Sequence, residues 1–221
     1  MDLTRAIDGY CERLGPGLWA EPLNALSNLA FLLAALVMWR RCRRPGGKSK
    51  GSTRLLCLLL ALIGIGSGVF HTFAQGWAAL ADVVPIGMFI LTYLFAVNRD
   101  VLGLSSGMAL GATAFFLPYA GVSGALFARL PWLGASAGYA PVPLLILIYA
   151  VVLWRRCPRL ARGFGLGATL LLLSLTARTL DLPLCGLWPP GTHVYWHLLN
   201  AGMLAWMIET YRCHLAEVRK T

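Results

Sequence analysis

Residues 55–74 read LLCLLLALIGIGSGVFHTFA, and this stretch decides the fold. It holds no charged residue until His71, over the roughly 20 positions that an α-helix needs to cross about 30 Å of hydrocarbon. Six more apolar stretches share its character. Spans are therefore expected at roughly 22–39, 55–74, 80–97, 101–120, 140–154, 163–180 and 193–211. The composition agrees, with 58% hydrophobic and only 13% charged residues in 221 and a mean hydropathy of +0.68. A soluble domain carries about a quarter charged residues, so a disordered chain and most soluble globular enzymes are excluded. The 24 glycines, many inside apolar runs, suit packed membrane helices. Residues 1–18 are polar and lack the apolar core of a cleavable signal peptide. No internal repeat, low-complexity tract or second domain is evident. The expectation is an all-α membrane protein: one seven-transmembrane helix bundle over residues 1–221, with 1–21 as a segment facing outward.

Net charge is +10, from 19 basic and 9 acidic residues. Seven basic residues fall in the first loop (Arg40, Arg41, Arg43, Arg44, Lys48, Lys50, Arg54), and Arg99 follows the third span. Arg155, Arg156, Arg159 and Arg162 separate spans five and six, and Arg212, Arg219 and Lys220 close the chain. With seven spans, 15 of the 19 lie on one side, leaving Arg5, Arg13, Arg129 and Arg178 on the other. The positive-inside rule puts the N-terminus outside and the C-terminus in the cytoplasm. The expected location is a plasma membrane, read as a bacterial inner membrane. The charge reports topology and not a nucleic-acid partner, because the basic residues form no binding face.

This topology gathers the ionisable groups at the outer ends of the spans. Ionisable side chains inside a membrane cost several kcal/mol and mark function by default. Ser67 and His71 end span two, Asp82 opens span three, Arg178 and Asp181 end span six, and His193 and His197 open span seven. His193 and His197 are spaced i, i+4 and project from one helix face. With His71 they make three neutral imidazoles, a zinc set that leaves the fourth position to water. Asp82 would offset the metal's charge or handle a proton. An HxxxH pair alone also fits interfacial histidines bonded to lipid head groups; with His71 and Asp82 at the same depth, metal binding is favoured. By spacing alone, Ser67 is a small residue bonding its own helix backbone, and Gly64 and Gly68 form a small-xxx-small pair for close helix approach. Arg178 and Asp181, at i, i+3, read as a structural ion pair.

Ser67-x3-His71, Asp82 opening the next helix and His193-x3-His197 on the last one resemble the alkaline ceramidases. These sit in a wider group of seven-span zinc hydrolases that includes the progestin and adipoQ receptors. WAEPLNALSN at 19–28 is similar to the ceramidase first helix, with Glu21, Asn24, Ser27 and Asn28 in its Glu…Asn…Ser-Asn pattern. The resemblance runs over essentially the whole chain. It implies that His71, His193 and His197 bind zinc, that Ser67 stabilises an oxyanion and that Asp82 handles protons for the attacking water. It further implies a calcium site built on an Asp-Trp-Cys-Glu-x-Asn run and the first-helix Glu. Here the run is Asp8-Gly9-Tyr10-Cys11-Glu12-Arg13-Leu14, with the Asp one residue further from the Cys, Tyr for Trp and Leu14 for the Asn. Asp8, Glu12, Glu21 and the Tyr10 carbonyl remain as calcium donors.

The expected function is hydrolysis of the N-acyl bond of ceramide-like lipids to a sphingoid base and a fatty acid. The alternative is a lipid-sensing receptor of the progestin and adipoQ type. Those relatives place the N-terminus in the cytoplasm, opposite to the charge bias here. Of the 6 cysteines, Cys42, Cys157, Cys213 and Cys57 fall on or near the cytoplasmic side. Only Cys11 and Cys185 face outward, where a disulfide persists. Their pairing is expected, with two free thiols as the alternative.

Overall fold

The structure, a computed structural model, describes residues 2–15, 17–43 and 51–218; Arg44, Lys48, Lys50, Arg219 and Lys220 lie outside the described residues. Among these, nine α-helices follow one another: α1 (Pro22–Ser27), α2 (Leu29–Cys42), α3 (Gly51–Phe73), α4 (Gly76–Asp100), α5 (Ser106–Ala114), α6 (Phe116–Phe127), α7 (Pro141–Leu153), α8 (Pro158–Leu180) and α9 (His193–Val218). Five rods are long and apolar enough to cross a membrane: Pro22–Cys42, Gly51–Phe73, Gly76–Asp100, Ser106–Phe127 and Pro158–Leu180. Helix α7 has 13 residues, about 20 Å at 1.5 Å per residue, less than the thickness of a bilayer core. Helix α9 is long enough at 26 residues, but His193, His197, Asn200, Glu209, Arg212 and Glu217 dilute its apolar character.

Local chemistry sets the breaks. Proline opens α1, α7 and α8, where its missing N–H costs nothing and its fixed φ suits the first turn. Pro118, in the first turn of α6, clashes with the carbonyl four residues back and splits the fourth rod at Phe115. That rod starts at Ser106 and not near 101, because Gly103 adopts φ +72 and the Ser105 hydroxyl caps the helix by accepting from the Met108 N–H. At the break between α1 and α2 the Asn24 carbonyl accepts from Ser27 Oγ and from Asn28 Nδ2, both at 2.8 Å. Side chains thus compete with the backbone ladder at that point.

Helix α3 lies at the centre, packed by α1, α2, α4 and α9, while α8 packs between α7 and α9. The core joins Phe31, Leu56, Leu60, Ile63, Tyr93, Phe164, Ile208 and Tyr211, all buried. Helices α5 and α6 sit at the edge with their apolar side chains outward, among them Leu110, Phe115, Leu117 and Val122. The N-terminal segment docks across the α3–α4 turn through Ile7 N–H to the Ala74 carbonyl (2.7 Å) and Trp77 N–H to the Leu3 carbonyl (2.9 Å). The end of α3, the starts of α4 and α9 and this segment therefore meet at one end of the bundle. The arginines bordering α2, α3, α4 and α8 stand at the other.

Candidate metal centre

His71 lies in the last turn of α3, and His193 and His197 lie on one face of the first turns of α9. Each ring is 1% exposed. Ring centroids are 5.1 Å apart for His71–His193, 4.8 Å for His71–His197 and 4.6 Å for His193–His197. One ligand nitrogen from each lies within 4.8 Å of the others, close enough for the group to hold a metal ion.

The outer hydrogen bonds fix which nitrogen faces inward. His71 Nδ1 lies 2.5 Å from Glu21 Oε2, and a carboxylate only accepts, so Nδ1 carries the proton and Nε2 keeps its lone pair. His197 Nδ1 lies 2.7 Å from Ser27 Oγ. The Ser27 hydroxyl spends its one proton on the Asn24 carbonyl, so it accepts from His197 Nδ1 and leaves Nε2 as the free base. His193 Nδ1 is buried without a hydrogen-bond partner. A buried imidazole triad with bare nitrogens converging, two of them oriented by outer partners, is a donor set that suits a transition-metal ion. Burial alone would raise the Glu21 carboxyl, but the hydrogen bond from His71 and the Arg13 guanidinium outweigh it and hold that group below the usual carboxylate range.

Ser67 and Asp82 join the histidines. Ser67 is buried with its hydroxyl 3.5 Å from His197 Nε2, and it also faces the Asp82 carboxylate across the α3–α4 interface. Its role is thus not confined to its own helix backbone. Gly66 makes this possible: a Cβ there would collide with the Ala81 carbonyl, so only glycine lets α4 approach closely enough to bring Asp82 alongside. Gly64 packs against α1 and α2, where a Cβ would meet Phe31 Cβ at 2.8 Å and the Asn28 carbonyl at 3.1 Å. Gly68 has only Asn28 Cβ at 3.8 Å, so Gly64 and Gly66, not Gly64 and Gly68, are the close-approach positions.

Asp181 and Arg178 do not form the expected ion pair. Asp181 Oδ1 accepts from the N–H groups of Thr192 (2.8 Å) and His193 (2.9 Å), and Oδ2 accepts from the Cys11 N–H (2.9 Å). The carboxylate thereby caps the helix that carries two of the histidines. Gly191, at φ +74, must lack a side chain because a Cβ would strike Asp181 Oδ1 and the Cys11 side chain. Arg178 instead lies over the Tyr139 ring at 5.1 Å and the Trp196 ring at 5.8 Å, with Nη1 3.4 Å from Ser136 Oγ. Cys11 and Cys185 stand with sulfurs 2.04 Å and Cα atoms 5.4 Å apart, which brings the N-terminal segment against the loop before α9.

Trp196, beside His197, and Asn200, almost one turn further along α9, border an apolar cavity lined also by Phe89, Ile90, Val142, Met203 and Leu204. A second cavity shares these residues and continues to Tyr93 and Tyr149.

The family model described as Ceramidase matches residues 10–221. The chain belongs to the ceramidase family. No curated protein matches it. Membership brings, in general terms, hydrolysis of an amide bond with ceramide, a lipid, as substrate.

The calcium donors expected of a ceramidase are not assembled here. Glu12 bonds the N–H groups of Leu23 (2.6 Å) and Asn24 (2.8 Å) at the start of α1. Glu21 engages His71, Arg13 and Asn24. Tyr10 packs its ring on His193 and His71, with centroids 4.1 Å and 4.9 Å away, and burial raises its phenol. Among the described residues the one group of three or more His, Cys, Asp or Glu side chains close enough to share an ion is the histidine triad, and Asp8, Glu12 and Glu21 do not form another. The residues present therefore do not fit a calcium ion, which takes six to eight oxygens.

Sequence reasoning missed the jobs of Glu21, Ser27, Asp181 and Gly66. Glu21 and Ser27 stand in the first-helix pattern that resembles the ceramidases, which was the available signal for the first two. Asp181 precedes a Gly191-Thr192 turn ahead of α9, but its capping contacts lie 11 and 12 positions away, beyond any local capping motif.

Proposed function

We propose that this ceramidase-family protein is an integral-membrane, zinc-dependent amidase that cleaves the N-acyl bond of ceramide-like lipids, releasing a sphingoid base and a fatty acid. The observation that carries the reading is the buried convergence of His71, His193 and His197 beside Ser67 and Asp82. All seven rods cross the bilayer in this reading, α7 with help from the residues around it. The N-terminus faces outward and the C-terminus inward, supported by the arginines at the end opposite the histidines.

His71, His193 and His197 would hold zinc through the nitrogens left bare by Glu21, Ser27 and burial. When bound, zinc supplies the Lewis acidity that polarises an amide carbonyl and acidifies water. Asp82 accepts the proton of the water that adds to the carbonyl carbon. It then delivers that proton to the nitrogen as the C–N bond breaks and the amine leaves. Ser67 donates its hydroxyl hydrogen to the oxyanion that develops meanwhile. The apolar cavity bordered by Trp196 and Asn200 and the one continuing from it offer an apolar lining to the first methylenes of an acyl chain, which supports a lipid substrate. A disulfide between Cys11 and Cys185 would secure the N-terminal segment over the site.

The test is incubation of purified protein with ceramide and a panel of N-acyl lipids, before and after zinc removal by a chelator and with zinc restored. Release of fatty acid and sphingoid base that is lost on stripping and regained with zinc supports the proposal. Full activity in the stripped protein overturns it.

A further inference from the structure

We infer that Arg13 is a built-in cation that does structurally what a calcium ion would do at the edge of this centre, so that zinc binding here is independent of calcium. This inference rests on the zinc reading of the histidine triad.

The Arg13 side chain is 4% exposed and that of Glu21 1%, so the two charges meet out of water. Nε bonds Glu21 Oε1, Nη1 donates to the Gly15 carbonyl at 3.1 Å, and Nη2 donates to the His71 carbonyl at 3.3 Å. One planar guanidinium thus grips both the carboxylate that orients His71 and the backbone of His71 itself. A lysine ammonium, a point charge without a fork, cannot span both. Glu21 would otherwise be a buried carboxylate resting on a neutral imidazole, and burying an uncompensated charge is expensive. Arg13 neutralises it.

The local donors point the same way. Gly9 carries no side chain, and Leu14 is 95% exposed with a side chain that has no oxygen. Both Glu12 oxygens cap α1, and both Glu21 oxygens are in use. The buried amide oxygens without a partner in this neighbourhood, Asn24 Oδ1 and Asn28 Oδ1, are both neutral. Calcium needs several oxygens, mostly anionic, and would sit against the positive Arg13. In place of calcium donors, the stretch from 9 to 14 supplies one fixed positive charge. Arg13 is a positioning residue: it acts on the metal through Glu21 and His71.

The experiment uses the full-length protein in detergent, with calcium chloride as the probe. Wild-type protein titrated to about 1 mM calcium, the weak end of protein calcium sites, should show no calorimetric binding, no change in melting temperature and no change in zinc affinity measured by chelator competition. Arg13→Ala should lower zinc affinity about 10–100-fold, the usual effect of removing an outer partner of a metal-binding histidine. Cobalt substituted for zinc should show an altered visible spectrum in that variant. Arg13→Lys should recover only part of the affinity. Saturable calcium binding by the wild type, or zinc affinity that rises with calcium, overturns the inference; so does an Arg13→Ala protein with wild-type zinc affinity. If Arg13→Ala does not fold, the wild-type calcium titrations and Arg13→Lys still decide it. A wild type that binds neither zinc nor calcium fails the zinc reading and this inference with it, whereas one that binds zinc and also calcium fails this inference alone.

Discussion

Ser27→Ala isolates one contact that orients the His197 ring. Ser27 Oγ accepts the His197 Nδ1 proton at 2.7 Å, while its own proton goes to the Asn24 carbonyl. The His197 ring is 1% exposed, so water does not replace the lost acceptor. The donor then has only the Asn24 carbonyl within reach, and leaving a buried donor poorly satisfied costs about 1–3 kcal/mol. The ring is then free to swap its proton to Nε2 or to tilt, either of which weakens metal binding. At about 1.4 kcal/mol per tenfold, zinc affinity should fall about 5–150-fold. Ser27→Thr keeps the hydroxyl and should lose little. Ser123→Ala removes a hydroxyl that bonds the Tyr119 carbonyl on remote α6 and should leave affinity unchanged. Competition for zinc against a chromophoric chelator measures all three. Wild-type zinc affinity in Ser27→Ala would refute the assignment of the His197 tautomer and the role of Ser27.

Gly66→Ala should destabilise the protein by about 1–3 kcal/mol through overpacking against Ala81 and depress turnover by displacing Asp82, whereas Gly68→Ala should be near neutral; thermal melts with an activity assay separate the two. Asp181→Ala removes the acceptor of three backbone N–H groups and should cost about 2 kcal/mol, the upper end for a helix cap, with weaker zinc retention read by metal analysis after dialysis. Asp82→Asn should keep its zinc while slowing hydrolysis by ~10²–10⁴-fold. Ser67→Ala should slow it by ~10²–10³-fold. Wild-type turnover in either variant would remove that residue from the mechanism.

The apolar runs and the histidine spacing were legible in the sequence because both are local. A run of leucines sets a helix, and i, i+4 sets a shared face. The fourth rod was misplaced because apolar residues at 101 and 102 precede a glycine turn whose positive φ hydropathy does not register. The partners of the histidines were illegible in their roles: Glu21 and His71 are 50 positions apart, Ser27 and His197 170. Only packing brings them together. Glu21 illustrates the point most sharply, since the resemblance alone put it with calcium, whereas the fold gives its oxygens to His71 and Arg13. Likewise the glycines of residues 64–68 offer several faces, and only the approach of α4 selects Gly66.

The central claim is that His71, His193 and His197 hold one zinc ion that hydrolysis requires. Elemental analysis of purified wild-type, His193→Ala and His197→Ala proteins, each paired with ceramide hydrolysis on the same sample, tests it most directly. The wild type should carry about one zinc per chain, the number one such triad holds. Each variant should lose both metal and activity while keeping its helical circular dichroism. A wild type that hydrolyses ceramide without bound zinc, or a His variant with full activity, would contradict the account.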